Sequence, residues 1–241
     1  MSSEGAMLEW SQYEPEFPDV PDARITSATR VRLVILEALA AGALTAGTRV
    51  IETELGAALH VSRTPLREAL TALRAEGILE HDGEGLRVRR MGWRDITDLY
   101  EMRGTLEGMA ARLAARQASQ AEKAIITQLS EEELNLMSQD APSSTLAQHN
   151  KRFHQAILQS ANNAFLTEAL TKLSRLTILL GSTVYQLPDR RHLITKEHHD
   201  IQKAICASNA AKAEETMREH LANGLEARLQ IVSQTKEHEL D

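Results

Sequence analysis

Two hydrophobic periods alternate along the chain from residue 26 onward. Leu55 and Leu59 stand four apart, and after a break Leu66, Leu70 and Leu73 repeat the 3–4 spacing. Each set therefore falls on one side of a helix. His60-Val61 interrupts the two. Ser62 is placed to cap the second helix by offering its side-chain oxygen to the free N–H groups of the first turn. Pro65 lies in that turn, where a missing N–H costs nothing. Glu76-Gly77 ends the helix with a residue free to take positive φ. The period then changes to two, and Ile78 to His81 and Leu86 to Arg90 read as short strands around Asp82-Gly83-Glu84-Gly85.

Beyond Arg94 the helical period holds to the end of the chain. Ile96, Leu99, Met102, Leu106, Met109 and Leu113 make one apolar stripe, with Asp95 as its cap. Ser119 and Glu122 have the spacing of a capping box and open the next helix. Asp140-Ala141-Pro142 precedes a helix expected over residues 143–160, and Asn162-Asn163 precedes one expected to run toward Tyr185. Leu187-Pro188-Asp189 precedes one ending near Ser208, and a last helix fills Ala210 to about Ser233. The predicted fold class is mainly α: a winged helix-turn-helix over residues 26–92, then an all-α antiparallel helical bundle over residues 93–241. Residues 1–25 carry six acidic residues against Arg24 and show no sustained period. They read as a mobile acidic arm, although Trp10, Tyr13 and Phe17 are available to dock on a neighbouring surface.

Composition refines this picture without redirecting it. The 241 residues suffice for two modest domains, 42% hydrophobic content supports real cores, and 3% aromatic content with abundant Ala and Leu favours helix. Cys206 is the single cysteine, which excludes an internal disulfide framework, and Ile205 and Ala207 beside it suggest a thiol buried on a helix. No apolar run approaches the roughly 20 residues that span a bilayer, and the N-terminus lacks a signal-peptide pattern, so a cytoplasmic protein with no membrane partner is expected. A net charge of −7 opposes nucleic-acid binding at first sight. The charge is unevenly spread. Residues 26–92 hold nine basic residues, all arginine, against eight acidic ones, and Arg63, Arg67, Arg87, Arg89 and Arg90 fall on the second helix or the hairpin. The basic face is local, and the acidic remainder limits non-specific adhesion.

With Leu66, Leu70 and Leu73 turned inward, Arg63, Thr64, Arg67 and Thr71 face outward at the end of the helix that a major-groove reader presents to bases and phosphates. A bare helical pair with solvated arginines is a common alternative. The cap, the proline, the paired arginines and the basic hairpin within one compact span favour DNA binding. From Gly42 to Ile78 the chain resembles the GntR superfamily of bacterial transcriptional regulators, meeting the pattern G-x-L-x-x-G-x-x-(I/L/V)-x-E-x-x-L-(A/G)-x-x-L-x-V-S-R-T-P-(V/L)-R-E-A-L-x-x-L-x-x-E-G-(I/L). It departs at Thr45-Ala46-Gly47, where a Pro-Gly turn is usual, and at Thr53, where some members carry a DNA-contacting arginine. The expected DNA contacts are Ser62, Arg63, Thr64, Arg67 and Thr71, with Gly85 and Arg87 in the wing.

His154, His198 and His220 lie on three different predicted helices. Three imidazoles converging in a bundle suit Zn²⁺ or a comparable divalent metal. The chain has nine histidines, however, and scattered ones are more often surface or hydrogen-bonded core residues. The runs Asn150 to His154, Glu197 to Ile201 and Met217 to Leu221, with Tyr100 to Glu107, resemble the FCD ligand-binding domain of the FadR-type branch. That resemblance implies a divalent metal, zinc foremost, held by Asn150, His154, His198 and His220. Asn150 stands where Asp is usual, and its amide oxygen is the weaker ligand. His149 and His199 face other directions by helical phase. Arg103 resembles a pocket arginine and suits a bidentate clamp on an effector carboxylate. Its alternatives are an i, i+4 surface pair with Glu107 or a link between domains.

The function these residues lead us to expect is a ligand-responsive transcriptional regulator and not an enzyme. It would act as a homodimer on double-stranded operator DNA and be released by a small carboxylate bound at a metal whose neutral ligands leave its charge uncompensated. A metal-dependent hydrolase and a purely structural metal domain are the competing readings. Against the first, no Glu stands in an H-E-x-x-H arrangement.

Overall fold

The computed structural model describes residues 8–14 and 25–238. They form two compact units that divide between Met91 and Gly92, with Arg175–Gly181 belonging to the first.

In the first unit α1 (Ser27–Ala40), α2 (Glu52–Ala58) and α3 (Arg63–Ala75) precede the antiparallel strands β1 (Leu79–His81) and β2 (Leu86–Val88). The leucines that set the period are the ones buried: Leu55, Leu59, Leu66, Leu70 and Leu73 join Val31, Val34 and Ile35 of α1 in one core. The α2–α3 turn takes His60 through φ 52°, and Gly77 ends α3 at φ 75°, where an L side chain would be strained. Asp82 accepts at Oδ1 from the backbone N–H groups of Glu84 and Gly85, both at 3.1 Å, and so shapes the hairpin turn. Residues 47–50 add a third rung that periodicity did not reveal. Gly47 N donates to Val88 O at 2.8 Å, Val88 N to Thr48 O at 2.9 Å, and Val50 N to Leu86 O at 2.8 Å. Four residues with only Val50 buried are too few to display an alternation.

One expectation is corrected here, and one alternative left open is decided. Ser62 occupies the N-cap position of α3, yet its side chain makes no capping bond; its backbone carbonyl takes Leu66 N at 3.3 Å instead. For residues 1–25, read as a mobile arm with Trp10, Tyr13 and Phe17 available to dock, the docking alternative holds at Trp10 and Tyr13. Trp10, in a 3-10 turn over Trp10–Tyr13, is buried in the first core, Leu8 and Tyr13 lie against it, and Glu14 pairs with Arg30. Burying an indole outweighs the acidity of the segment. Phe17 lies outside the described residues.

The second unit contains α4 (Trp93–Gln117), α5 (Gln120–Ser138), α6 (Ser143–Ser160), α7 (Ala164–Leu176), α8 (Pro188–Cys206) and α9 (Ala210–His238), the end of α7 being grouped with the first unit. The Asp95 carboxylate accepts from Gly92 N at 2.9 Å, and Ser119 and Glu122 form the expected capping box. The expected α4 stripe is shifted in part. Ile96 and Leu99 are buried but Met102 is exposed, and the inward face is made by Ala110, Ala111, Ala114 and Ala115 with Gly108. Small residues win this face because α4 runs close against α9: a Cβ on Gly108 would come within 2.9 Å of Arg218 Cγ. The helix expected to run toward Tyr185 ends at Leu176. Thr177–Leu180 form a 3-10 turn, Gly181 takes φ 67°, and Leu179 is buried in the first core. Cys206, the last residue of α8, is half-buried rather than buried. No helix among the described residues is long and apolar enough to cross a membrane.

Candidate functional site

Packing of α4 on α6, α8 and α9 brings His154 of α6, His198 of α8 and His220 of α9 together, and one ring nitrogen of each lies within 4.8 Å of the others. His154 Nε2 and His220 Nε2 are 3.2 Å apart. Every Nδ1 is taken by a glutamate from a different helix. His154 Nδ1 meets Glu107 Oε2 of α4 at 2.5 Å, His198 Nδ1 meets Glu133 Oε2 of α5 at 2.8 Å, and His220 Nδ1 meets Glu197 Oε2 of α8 at 2.7 Å. Each glutamate is held in turn. Arg103 Nε donates to Glu107 Oε1 at 2.7 Å, Tyr185 Oη to Glu133 Oε1 at 2.9 Å, and Arg190 grips both oxygens of Glu197 at 2.7 Å, aided by Asn223 Nδ2 at 2.7 Å. Phe153 stacks on the His198 ring with centroids 4.4 Å apart and planes at 28°.

The electrostatics follow from this pairing. Burial opposes the ionised form of Glu107, but Arg103 and His154 outweigh it and hold the carboxyl well below the usual range. Glu197, also opposed by burial, is held at about 2 by His220 and Arg190. Burial raises Glu133 too, and His198 and Tyr185 more than reverse it. Burial pushes the imidazoles the other way, His220 down to about 3 and His198 also downward. The carboxylates are thus charged and these two rings neutral, so Nδ1 is the donor and Nε2 carries the lone pair.

That arrangement fits a divalent metal. His198 Nε2 is buried with no hydrogen-bond partner among the described residues, and His154 and His220 turn their Nε2 atoms on one another, with room for a proton or a cation between them. Ligand atoms on one tetrahedral zinc, with bonds of about 2.0–2.1 Å, stand about 3.3 Å apart. The His154–His220 pair, at 3.2 Å, matches that spacing, and His198 lies within 4.8 Å of both.

Asn150 sits one turn before His154 on α6 and is half-buried; among the described contacts none joins its amide to the three histidines. His149 and His199 stand outside the cluster. His149 is nonetheless buried, 3.7 Å from Glu132, with neither ring nitrogen hydrogen-bonded among the described residues. Arg103 makes the i, i+4 pair with Glu107, and the pair is not on the surface: the side chains are 12% and 8% exposed. It therefore reaches the histidines through Glu107.

Sequence reasoning missed Glu107, Glu133, Glu197, Tyr185, Arg190 and Asn223. Glu197 stands beside His198 and Glu107 closes the run that begins at Tyr100, so both carried a signal. Glu133 carried none, because α5 supplies no histidine.

In the first unit Ser62, Arg63, Thr64, Arg67 and Thr71 are all exposed along one side of α3. Arg67 Nε lies 3.2 Å from Glu52 Oε2. Among the described residues the side chains of Ser62, Arg63, Thr64 and Thr71 have no hydrogen-bond partner. The wing is less basic than expected. Arg87 is half-buried and paired with Asp82 and with Glu84, the latter at 2.7 Å, and Arg49 donates to the Glu84 carbonyl beside Gly85 at 2.5 Å. A tight turn with two acidic residues satisfies its own arginine first.

Residues 27–88 match the model of the bacterial regulatory proteins of the gntR family, and residues 98–223 match the FCD domain. The chain belongs to the GntR family. This regulator is 32% identical, over 85% of its own length and 89% of the relative's, to a probable D-xylose utilization operon transcriptional repressor of Paenarthrobacter nicotinovorans. It is 29% identical to the Glc operon transcriptional activator of Escherichia coli K12, over 83% of this chain and 86% of that one. Among solved structures, Escherichia coli McbR/YncC superposes with a TM-score of 0.73 at 22% identity, covering 86% of this chain and 99% of the other, which is a likeness of fold. The GntR regulator is thus a DNA-binding transcriptional regulator with a helical FCD domain.

Proposed function

We propose that this GntR regulator is a homodimeric repressor released from its operator by a small organic acid that binds at a metal held by Asn150, His154, His198 and His220. The observation that carries the reading is the convergence of three imidazoles whose Nδ1 atoms are all committed to carboxylates, with the Nε2 atoms of His154 and His220 3.2 Å apart. Zinc is the favoured metal, since three nitrogens and one oxygen suit it. Two copies present two α3 helices to half-sites about one turn of DNA, ~34 Å, apart, with Ser62, Arg63, Thr64, Arg67 and Thr71 as the contacts and Gly85 and Arg87 at the wing. The named repressor among the relatives supports repression, and the named activator shows that the family runs both ways.

The charge inventory refines the effector argument. The metal's charge is not uncompensated: Glu107, Glu133 and Glu197 bring three negative charges, and Arg103 and Arg190 two positive ones. A divalent metal with neutral imidazoles leaves the whole cluster at one net positive charge, which a single carboxylate matches. Hydrolytic chemistry is disfavoured because each of these carboxylates is engaged by a histidine and by Arg103, Tyr185 or Arg190, so none stands free as a general base.

The test uses operator fragments selected from random DNA and fluorescence anisotropy with full-length protein. Small mono- and dicarboxylates, titrated in, should release zinc-loaded protein and leave chelated protein bound. Release by the neutral amides of the same acids, or equal release after chelation, would overturn the effector reading.

A further inference from the structure

The histidines of this site do not choose their own orientation. Left alone, a neutral imidazole in water exchanges its proton between the two ring nitrogens, and a ring on a helix can present either one. Here each Nδ1 faces a carboxylate oxygen, and the carboxylates come from α4, α5 and α8 rather than from one neighbouring stretch of chain. Each carboxylate also has its second oxygen tied to a group that cannot follow a drifting ring. The guanidinium of Arg190 is buried, the Tyr185 ring is buried, and Arg103 lies over the Tyr100 ring with its guanidinium carbon 5.3 Å from the centroid. The result is three parallel relays: Arg103 to Glu107 to His154, Tyr185 to Glu133 to His198, and Arg190 to Glu197 to His220.

We infer that Glu107, Glu133 and Glu197 are positioning residues for the metal, each holding its own histidine as the Nδ1–H tautomer with Nε2 turned to the common centre, and that Arg103, Tyr185 and Arg190 fix the carboxylates in that task. The inference rests on the metal reading above for its ligand but not for its geometry. Carboxylates bonded to ligating histidines fix the tautomer and raise ligand basicity, and their loss typically weakens metal affinity by about 10–100-fold. Here they do something more. They turn the Nε2 atoms of His154 and His220 toward one another at 3.2 Å, the separation of two ligand atoms on one ion. Arg103 accordingly serves the site through Glu107.

The test uses full-length protein, Zn²⁺ in competition with a chromophoric chelator, the visible spectrum of Co²⁺, and nitrogen NMR of the imidazoles in metal-free protein at alkaline pH. Glu107→Ala, Glu133→Ala and Glu197→Ala should each weaken Zn²⁺ by about 10–100-fold. In each, the proton should move to Nε2 only at the histidine that lost its partner. Glu→Gln at the same positions keeps an acceptor for Nδ1–H, so it should retain the tautomer and recover part of the affinity, and it supplies the same readout where an Ala variant does not fold. Tyr185→Phe should weaken Zn²⁺ by less than Glu133→Ala and alter the Co²⁺ spectrum in the same sense. Unchanged affinity with unchanged tautomers would overturn the inference, as would a loss spread equally over all three histidines. If wild-type protein took up no Zn²⁺ while the tautomers still responded one by one, the metal reading would fall and the positioning role would stand.

Discussion

Arg67 offers the sharpest test of the DNA-reading face, because the structure supplies its competitor. In the free protein Arg67 Nε lies 3.2 Å from Glu52 Oε2, and the side chains are 68% and 44% exposed. A pair that open to water is worth about 0–1 kcal/mol. Arg67 can therefore leave Glu52 for DNA at a cost no larger than that, while an arginine contact to a base or phosphate contributes about 1–3 kcal/mol. Three consequences follow with different signs. Arg67→Ala should weaken specific binding roughly 5- to 150-fold, by the conversion of 1.4 kcal/mol per tenfold, and change folding stability by under about 1 kcal/mol. Glu52→Gln removes the competitor and should tighten binding by up to about fivefold. The double variant should bind like Arg67→Ala, since Glu52 acts only through the arginine. The assay is anisotropy on a selected operator at fixed salt, repeated across a salt series, with urea melts for stability. If Arg67 meets a phosphate, Arg67→Ala should also flatten the log–log salt slope by about 0.9. Unchanged affinity in Arg67→Ala, or weaker binding in Glu52→Gln, would refute the reasoning.

Other consequences are independent of the operator. His154→Ala, His198→Ala or His220→Ala should abolish stoichiometric zinc in metal analysis of the purified protein, whereas His149→Ala and His199→Ala should keep it; equal content throughout would remove the site. Asn150→Asp should tighten zinc in chelator competition by restoring a charged oxygen beside His154, and an unchanged constant would exclude residue 150 from the ligand set. Phe153→Ala, which empties a fully buried position stacked on His198, should cost about 3–5 kcal/mol in urea unfolding, and Phe153→Leu less than half of that. Arg190→Met leaves Glu197 ionised and largely buried with two hydrogen bonds lost to one substitution, so a destabilisation of about 3–5 kcal/mol is expected; a neutral result would mean that His220 and Asn223 suffice to hold the carboxylate.

The helix-turn-helix was legible from the sequence because its determinants are local. Leu66, Leu70 and Leu73 decide which side of α3 is buried, and the opposite side with Arg63, Thr64, Arg67 and Thr71 follows without knowledge of any other element. The order of bundle helices was legible for the same reason, since Asp95, the Ser119–Glu122 box and Pro188 act within one turn of themselves. The histidine set was named only through resemblance to a family, because their phases on α6, α8 and α9 say nothing of whether the three helices meet. Tertiary structure decided the rest. Beyond Leu99 the buried α4 face is lined largely with alanine and glycine instead of the expected leucine and methionine, since interhelical distance, not local period, selects side-chain size there. The chain after Leu176 leaves its helix because Leu179 finds its burial in the first core. Glu133 joins His198 across 65 positions and Glu107 joins His154 across 47, pairings that no spacing in one helix encodes. A hydrophobic period records which side of an element avoids water, whereas a hydrogen bond between elements depends on their relative position, and that is set only when the whole bundle has packed.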